Sequence, residues 1–444
     1  MNWFEKKVLI IGLAKSGIAA AKYLNKRGAD VYVTEGFQKY KEEDKIELEN
    51  LGINIEVGQH SDEFIKDSYL AIASPGIPLS REIFARLKEN NVPVISEIEL
   101  AYKEAREPFV AITGTNGKTT TTILTSEILN SEYKALTCGN IGIPPTSLLE
   151  KEKDYFVCEV SSAQMACTNC FKAQIACWTN FTPDHINFHG SLEEYFNAKA
   201  KLFLPPGEPA FSVLNGNDEK LFEFSKKLKN VFLFAKEVDD NCCYIKDNSI
   251  IFKRGGKEEE IIRVSECKLV GEHNYENIMC SIVVAKLVGI SNENIKKVVS
   301  NFNAPEHRLE FVRNLNGIEF YNDSKATNPE AAIVAIKSFN NRKVALIAGG
   351  RDKNTDLKEF CEEIKKHIST VILIGEASKR FATNLKENGF ENIIFTDTME
   401  AAIDKGIETQ HEVILLSPAC ASFDMFDSYE HRGEMFKKYV LSKN

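Results

Sequence analysis

Short apolar runs alternate along this chain with longer segments in which apolar residues recur at helical spacing. Runs at residues 8–13, 109–112 and 155–160 have the length and composition of buried strands, and segments 18–24 and 123–129 follow the first two runs as amphipathic helices. Buried strands that alternate with helices of about ten residues are typical of open parallel sheets with helices on both faces. The pattern therefore predicts an α/β protein.

A Gly-rich turn at residues 111–121, Ala-Ile-Thr-Gly-Thr-Asn-Gly-Lys-Thr-Thr-Thr, joins a predicted strand to a predicted helix. Its glycines let backbone N–H groups approach an anion, the Lys118 amine can reach the β- and γ-phosphates, and the Thr119 hydroxyl can hold Mg²⁺. Ile112 stands where the usual P-loop has its first Gly. Nucleotide triphosphate binding is the favoured interpretation, and a turn that only caps a helix is the alternative.

A second Gly-containing turn, at residues 12–17, follows the first strand, and Glu35 stands at the end of the second strand. The spacing is that of the dinucleotide-binding fingerprint, except that Ala14 replaces its middle Gly. A pyrophosphate on the helix N-terminus near Ser16 and a simple tight turn both fit this pattern. A further apolar run ends in the loop 74–78, where an open parallel sheet places ligand contacts.

Four candidate polar residues follow strands or lie on a helix of the middle region. Glu159 stands at the carboxyl end of a predicted strand; as an isolated residue it would be a solvated strand end, but beside a P-loop the Mg²⁺ interpretation is favoured. His185 follows another strand in a polar loop. The helix predicted at 191–204 carries Lys199 and Lys201, and spacing alone does not choose between them.

A polar segment at residues 271–277 leads into an apolar-periodic helix predicted at 278–288. Its amides Asn274 and Asn277 lie one turn apart. They could pair with the edge of a base or cap the helix, and the sequence leaves both interpretations open.

The strands and turns fall into three groups, as roughly three domains are expected for a chain of 444 residues. We predict a Rossmann-like N-terminal sheet at 1–107, a central P-loop mononucleotide-binding sheet at 108–302 and a C-terminal Rossmann-like sheet at 303–444. Short alternating runs at 231–261 predict a small antiparallel addition to the central sheet.

Composition limits the partners that this chain can have. The net charge of −9 argues against a nucleic acid or an anionic membrane as the main partner. The first residues lack an apolar signal core, and nowhere do eighteen apolar residues run together. Eleven cysteines without a regular framework fit reduced thiols. We therefore expect a cytoplasmic protein.

Motifs from all three predicted domains occur together, and they resemble those of the Mur ligases of peptidoglycan synthesis over nearly the whole chain. The motifs are Gly-Thr-Asn-Gly-Lys-Thr at 114–119, Glu-Val-Ser-Ser at 159–162, Asp184-His185, Tyr195 with Lys199, His-Asn-Tyr-Glu-Asn at 273–277, His307-Arg308, 322–328 and 417–426. Sister ligases typically carry a Tyr and a His after the Asp where this chain has Asp-Ser-Lys-Ala-Thr-Asn at 323–328. That segment, with 417–424, resembles the D-glutamate-adding branch.

The resemblance implies an ATP-dependent amide ligase that acts on UDP-N-acetylmuramoyl-L-alanine and D-glutamate. ATP would phosphorylate the alanyl carboxylate, and the D-glutamate amine would then attack the resulting acyl phosphate and release phosphate. Such a reaction relies on positioning and on neutralisation of charge around the transferred phosphoryl group. The enzyme is expected to be a cytoplasmic monomer with no nucleic-acid or membrane partner.

The resemblance also implies a role for individual residues. The catalytic residues would be Lys118, Glu159, His185, Lys199, His307 and Lys325. The ATP-binding residues would be Gly114, Thr115, Asn116, Gly117, Lys118, Thr119, Thr120, Asn274, Asn277, Arg308 and Asp323. The UDP-substrate-binding residues would be Lys15, Ser16, Glu35, Ser74, Gly76, Asn140, Ser161 and Gln164, and those for D-glutamate Thr327, Lys353, Ser422 and Phe423.

By the same resemblance, two Mg²⁺ ions are expected. Thr119 and Glu159 would bind the first, and His185 with Glu159 would hold the second. Lys199 matches the family's carbamylated lysine, so CO₂ would convert a cation with a reference pKa of about 10.4 into an anion beside the metal. Only family position favours Lys199 over Lys201.

Three alternatives remain open from sequence. A dehydrogenase rests on the turn at 12–17 alone and should bind NAD(P)H. A nucleotide-dependent switch or motor should hydrolyse ATP without an amino acid. A glutamate-adding ligase of the folate type is disfavoured by the first predicted domain and by residues 323–328.

Overall fold

The computed structural model describes residues 2–37, 40–269, 271–303, 305–339 and 342–443. Its strands form three sheets, and the chain divides into two compact units, Met1–Phe302 with two sheets and Asn303–Asn444 with one. The predicted three-domain α/β fold is thus confirmed, whereas the predicted limits of the domains at 1–107, 108–302 and 303–444 stay predictions. No helix in the described part of the chain has the length and apolar character needed to cross a bilayer.

The first sheet is entirely parallel and has the strand order β3-β2-β1-β4-β5. Its strands are β1 (Lys7–Ile11), β2 (Asp30–Glu35), β3 (Asn54–Val57), β4 (Leu70–Ala73) and β5 (Val94–Ser96). Its helices are α1 (Lys15–Lys26), α2 (Glu42–Asn50), α3 (Asp62–Ile65), α4 (Glu82–Glu89) and α5 (Glu97–Glu104). The strand order reverses between β1 and β4, so a crevice forms beyond their carboxyl ends.

The second sheet has nine strands in the order β14-β13-β12-β11-β10-β9-β6-β8-β7. The strands are β6 (Phe109–Thr113), β7 (Ala135–Gly139), β8 (Tyr155–Glu159), β9 (Ile175–Trp178), β10 (Phe211–Asn215), β11 (Val231–Phe234), β12 (Cys242–Lys246), β13 (Ser249–Arg254) and β14 (Lys257–Arg263). The helices are α6 (Lys118–Leu129), α7 (Ser162–Ala166), α8 (Ile186–His189), α9 (Leu192–Ala200), α10 (Glu219–Ser225), α11 (Glu272–Val288) and α12 (Asn292–Val299), with 3₁₀ helices at Pro145–Leu148 and Val264–Glu266.

Two predicted elements of this region differ from the observed ones. Only β12 to β14 pair antiparallel, whereas β11 pairs parallel with both of its neighbours, so the antiparallel addition begins at Cys242 and not at residue 231. The helix α11 begins at Glu272 and not at residue 278, because Gly271 with φ of 108° makes the turn just before it. Asn274 and Asn277 therefore lie on the helix itself.

The third sheet has the strand order β15-β16-β20-β17-β18-β19, and only the hairpin of β15 and β16 is antiparallel. Its strands are β15 (Glu310–Leu315), β16 (Ile318–Asn322), β17 (Val344–Gly349), β18 (Thr370–Ile374), β19 (Ile393–Phe395) and β20 (Val413–Leu416). Its helices are α13 (Pro329–Lys337), α14 (Lys358–His367), α15 (Ser378–Glu387), α16 (Met399–Glu408) and α17 (Tyr429–Ser442).

Each sheet is stabilised by strands that are apolar on both faces. All five residues of β6 are buried, and Phe109 stacks on Phe156 of β8 with ring centroids 4.4 Å apart. Helices cover both faces of such strands, which explains their continuous apolar runs. Many of the predicted site residues therefore lie in the loops and helix starts at the carboxyl ends of the strands. All eleven cysteines carry free thiols.

Candidate active site

The Gly-rich turn between β6 and α6 needs both of its glycines. Gly117 caps α6 in the left-handed region, with φ of 79°, and a β-carbon there would overlap the amide oxygen of Asn277. A β-carbon at Gly114 would overlap the hydroxyl of Thr179. The turn is thus packed against α11 on one side and the end of β9 on the other, which leaves its N–H groups in a fixed arrangement.

The loop after β9 holds the backbone of this turn. The amide N–H of Asn116 donates to Asn180 Oδ1 at 2.8 Å, and the hydroxyl of Thr179 donates to the Asn116 carbonyl at 2.6 Å. The hydroxyl of Thr115 donates to the Thr182 carbonyl at 3.1 Å. Hydrogen bonds between the turn and the loop after β9 thus fix the conformation of the turn.

Thr119 and Glu159 meet directly beside the turn. The Thr119 hydroxyl donates to Glu159 Oε2 at 2.8 Å, and the side-chain amide of Asn140 donates to Glu159 Oε1 at 2.8 Å. Glu159 lies at the carboxyl end of β8 and is 1% exposed. A hydroxyl and a carboxylate are the oxygen ligands that Mg²⁺ prefers, so this pair fits the predicted first metal site.

Lys199 is buried against the same turn, whereas Lys201 is not. The Lys199 amine donates to the Gly114 carbonyl at 2.8 Å, and its side chain is 1% exposed. Lys201 instead donates to the carbonyls of Met165 and Ala166 and is exposed. Of these two lysines, only Lys199 therefore lies beside the predicted phosphate-binding turn.

The surroundings of Lys199 disfavour its charged form. Burial lowers its pKa well below the usual range, and the positive charge of Lys118 lowers it further, against the opposing effects of Asp184 and Glu159. A lowered pKa increases the neutral fraction of the amine, and the neutral amine is the form that reacts with CO₂. The residue therefore fits the predicted carbamate.

Two histidines flank the ring of Tyr195 near Lys199. The centroid of the Tyr195 ring lies 6.1 Å from that of His185 and 5.4 Å from that of His189. His185 is mostly exposed, and its Nε2 lies 3.5 Å from Asp184 Oδ2. The sequence interpretation missed His189, although its place four residues after His185 was a usable signal.

His189 is held in its neutral form. Its Nε2 lies 2.9 Å from the Ser162 hydroxyl. Burial lowers the pKa of His189 to about 4, and the proximity of His185 and Lys199 contributes to the decrease. A neutral imidazole adds no positive charge to the space next to the phosphate-binding turn.

The crevice of the first sheet brings together the N-terminal residues predicted to bind UDP substrate. Glu35 accepts the backbone N–H of Leu13 at 2.9 Å, so its carboxylate stabilises the turn before α1. A β-carbon at Gly12, where φ is 101°, would lie 2.8 Å from the Ser74 hydroxyl, which explains the glycine. Lys15 and Ser16 begin α1 at the same edge, and Gly76 lies exposed in the loop after β4.

Ser161 and Gln164 form a capping box at the start of α7. The Gln164 N–H donates to Ser161 Oγ at 3.2 Å, and the Ser161 N–H donates to Gln164 Oε1 at 2.9 Å. Such a box stabilises a helix N-terminus without any ligand. These two predicted substrate-binding residues therefore have a structural role as well.

In the second unit, residues 307–325 bring a histidine, a lysine and an aspartate together. The Lys325 N–H donates to the His307 carbonyl at 3.0 Å, and the Asn322 amide nitrogen lies 2.9 Å from His307 Nδ1. Asp323 accepts the Ser417 hydroxyl at 2.7 Å. Burial raises the pKa of Asp323 to about 7.

The four residues predicted to bind D-glutamate lie beyond the carboxyl ends of three adjacent strands, β16, β20 and β17. The Lys353 amine donates to the Thr327 carbonyl at 3.2 Å. Ser422 is buried, whereas the neighbouring Phe423 is 67% exposed. An amine, hydroxyls and an exposed ring at one sheet edge can recognise a small dicarboxylate.

The sequence interpretation missed Arg432 of α17, which joins two of these loops. Its Nε and Nη2 donate to the hydroxyl and the carbonyl of Ser324 at 2.9 and 2.7 Å, and its Nη1 donates to the Cys420 carbonyl at 3.1 Å. Burial lowers the pKa of Arg432 to about 10, so it stays a cation at neutral pH. The next residue, Gly433, packs against the His307 ring, where a β-carbon would overlap it.

Three family models match successive parts of the chain. The model described as "Mur ligase MurD-like, N-terminal domain" matches residues 6–96, "Mur ligase middle domain" matches 112–285, and "Mur ligase, glutamate ligase domain" matches 307–420. Together these matches cover most of the chain.

Curated relatives match over nearly their whole length. The chain is 40% identical to a UDP-N-acetylmuramoylalanine--D-glutamate ligase from Caldicellulosiruptor bescii, with 99% of this chain and 98% of the relative covered. It is also 40% identical to a ligase of the same name from a Thermoanaerobacter species, with 98% of each chain covered.

Solved structures share the fold at low sequence identity. A UDP-N-acetylmuramate-alanine ligase from Thermotoga maritima has a TM-score of 0.60 at 20% identity, and the match covers 98% of this chain and 100% of the other. A MurF ligase from Thermotoga maritima in complex with ADP has a TM-score of 0.58 at 16% identity, with 99% and 96% covered.

Proposed function

Because the chain belongs to the Mur ligase family, we propose that it joins D-glutamate to UDP-N-acetylmuramoyl-L-alanine and cleaves ATP to ADP and phosphate in peptidoglycan precursor synthesis. The names of its curated relatives support the choice of D-glutamate. The observation that carries the ATP-dependent step is the convergence of Thr119, Glu159 and Lys199 on one phosphate-binding turn. We further propose that the enzyme acts as a cytoplasmic monomer.

The proposed reaction consists of two successive substitutions. The alanyl carboxylate oxygen attacks the γ-phosphorus, the bond to the bridging oxygen of ADP breaks, and an acyl phosphate forms. The D-glutamate nitrogen then attacks the acyl carbon, loses a proton, and displaces phosphate as the amide forms. Both steps need developing charge to be neutralised by groups that are already in place.

We assign the neutralisation of the phosphate charge to the turn at residues 114–120. Its backbone N–H groups and the Lys118 amine bind the β- and γ-phosphates, and the N-terminus of α6 favours their negative charge. Thr119 and Glu159 would hold the first Mg²⁺. Bound Mg²⁺ would offset the charge of the phosphate oxygens.

Lys199 is proposed to react with CO₂, giving a carbamate and releasing one proton. Its burial and its lowered pKa support this step, because the neutral amine is the reactive form. The carbamate, with His185 and Glu159, would hold the second Mg²⁺. The conversion would place an anion beside the second Mg²⁺ site.

The remaining roles are assigned separately for the two units. In the first unit, the ATP-binding residues are Asn274 and Asn277. The uridine diphosphate is assigned to the crevice residues Lys15, Ser16, Glu35, Ser74 and Gly76, and the muramoyl-alanine end to Asn140, Ser161 and Gln164.

In the second unit, ATP and the reaction centre are assigned to Arg308, Asp323, His307 and Lys325. D-Glutamate is assigned to Thr327, Lys353, Ser422 and Phe423.

A phosphate-release assay tests this function. The protein is incubated with ATP, Mg²⁺ and UDP-N-acetylmuramoyl-L-alanine, and D-glutamate, L-glutamate, L-alanine and L-lysine are offered in turn. We expect phosphate release only with D-glutamate. ATP hydrolysis without an amino acid would favour a switch or motor, and release with another amino acid would favour a different ligase of the family.

A further inference from the structure

The segment that begins α5 attaches the domain of the first sheet to that of the second. Glu97 is 3% exposed, and its Oε1 accepts both the backbone N–H and the hydroxyl of Thr146, at 2.8 and 2.5 Å. Its other oxygen, Oε2, is buried and has no hydrogen-bond partner among the described residues. Glu99, on the same helix, accepts the backbone N–H of Asn169 at 2.6 Å.

Thr146 lies in the 3₁₀ helix Pro145–Leu148, directly after a short loop that carries Asn140. The loop begins after β7, and the Gly139 N–H donates to the Ile143 carbonyl at 2.7 Å, which closes it tightly. Asn140 binds Glu159 through its backbone N–H and its side-chain amide, both at 2.8 Å. Glu97 therefore fixes one end of the loop, and Glu159 fixes the other.

Glu97 also lines a small cleft between the two sheets. Ser16 from the turn before α1 and Gln164 from α7 line the same cleft. Both are residues assigned above to the UDP substrate. Burial raises the pKa of Glu97 to about 7, so its carboxyl group is partly protonated near neutral pH.

We propose that Glu97 is a positioning residue for the UDP substrate, because its bonds to Thr146 hold the loop of Asn140 in register with the turn of Ser16. The inference rests on the proposed function, in which these two segments bind opposite ends of one substrate. Glu97 acts through the loop and does not contact the reacting atoms. Its loss should therefore weaken binding of the UDP substrate selectively.

The test compares Glu97→Met with Glu99→Met in the full-length protein. Both glutamates are buried and lie on α5, and both accept bonds from the domain of the second sheet, but only Glu97 contacts the loop of Asn140. KM for the UDP substrate, ATP and D-glutamate, and kcat, are measured for each variant, with thermal melting to follow folding.

We expect Glu97→Met to raise KM for the UDP substrate by about tenfold, the loss of a bond to a buried polar group, with smaller changes in the other constants. Glu99→Met should leave the three KM values in their wild-type ratio. Glu97→Gln keeps an oxygen that can accept the bonds from Thr146, so its KM for the UDP substrate should stay close to that of the wild type. Thr146→Val removes one of the two bonds and should raise the same KM by less.

Equal effects of the two Met variants on the UDP-substrate KM, or an equal rise in all three KM values for Glu97→Met, would overturn the inference. If Glu97→Met does not fold, Thr146→Val decides: an unchanged UDP-substrate KM overturns the inference and a selective rise supports it. A wild-type protein that releases no phosphate with all three substrates would instead refute the proposed function.

Discussion

The amines of Lys118 and Lys199 donate hydrogen bonds to the same atom, the carbonyl oxygen of Gly114, at 3.0 and 2.8 Å. Two cations held this close together repel each other strongly, so the contact disfavours the charged form of one of the two lysines. Lys199 is that residue, since burial and its neighbour both lower its pKa. The first prediction follows from this pair.

Replacement of Lys199 by Ala should reduce phosphate release by about a hundredfold or more, as expected when a preorganised charge is lost from an active site. Short carboxylates added to the assay should restore part of the activity, because the group that is lost is proposed to be an anion. Lys201→Ala is the matched control and should stay active. Full activity of Lys199→Ala would contradict the carbamate assignment.

Thr119→Val should raise the Mg²⁺ concentration needed for half-maximal phosphate release by about tenfold, because the variant keeps the shape of the side chain and loses its hydroxyl ligand. Thr125→Val is the control: Thr125 is buried on the same helix, and its hydroxyl donates to Ser281 Oγ at 3.0 Å, away from Glu159. A chelator should abolish activity in all three proteins. An identical Mg²⁺ requirement in both variants would argue against a metal at Thr119.

The buried carboxyl of Asp323 should make stability depend on pH. Its pKa rises from 3.8 to about 7 on folding, so between these values the folded protein binds more protons than the unfolded chain, and the free energy of unfolding falls as pH rises. The melting temperature of the wild type, relative to Asp323→Asn, should therefore decrease from pH 4 to about pH 7 and then level off. Thermal melting of both proteins across this range checks the slope, and a difference that does not vary with pH would count against it.

Arg432→Met should raise KM for D-glutamate by about tenfold or more, because the loops after β16 and β20 lose their shared donor. Arg432→Lys should not restore the KM, since one ammonium group cannot reproduce the planar fork that reaches Ser324 and Cys420 together. Arg313→Met is the control: Arg313 also donates to backbone carbonyls of α17, but at its far end, Val440 and Leu441. A similar rise in KM for D-glutamate in both Met variants would indicate a general loss of packing by α17.

Local patterns were sufficient for the strands and for the turn between β6 and α6. The apolar runs at β1, β6 and β8 are buried on both faces, and the turn carries its chemistry in consecutive residues. Such features need no knowledge of distant contacts. The fold class could therefore be predicted from the sequence, and the position of Thr119 beside Glu159 agrees with the expected end of β8.

Features that depend on tertiary packing could not be derived in this way. The choice between Lys199 and Lys201 depends on the rotation of α9 about its axis, which the spacing of two lysines does not specify. Arg432 contacts Ser324 across 108 positions of sequence, and Glu97 contacts Thr146 across 49. No periodic pattern encodes contacts of this kind, so the sequence left both residues unassigned.

The position of Arg432 in the final helix, α17, has a consequence for truncated forms of this protein. The ribosome completes the phosphate-binding turn early, whereas the loops after β16 and β20 lack their common anchor until the final helix has been made. A chain cut short before residue 432, by a nonsense codon or by proteolysis, would keep every residue of the turn at 114–120 and lose the support of the proposed D-glutamate site. We expect such a fragment to leave the cell-wall precursor unextended even though the proposed ATP-binding turn is intact.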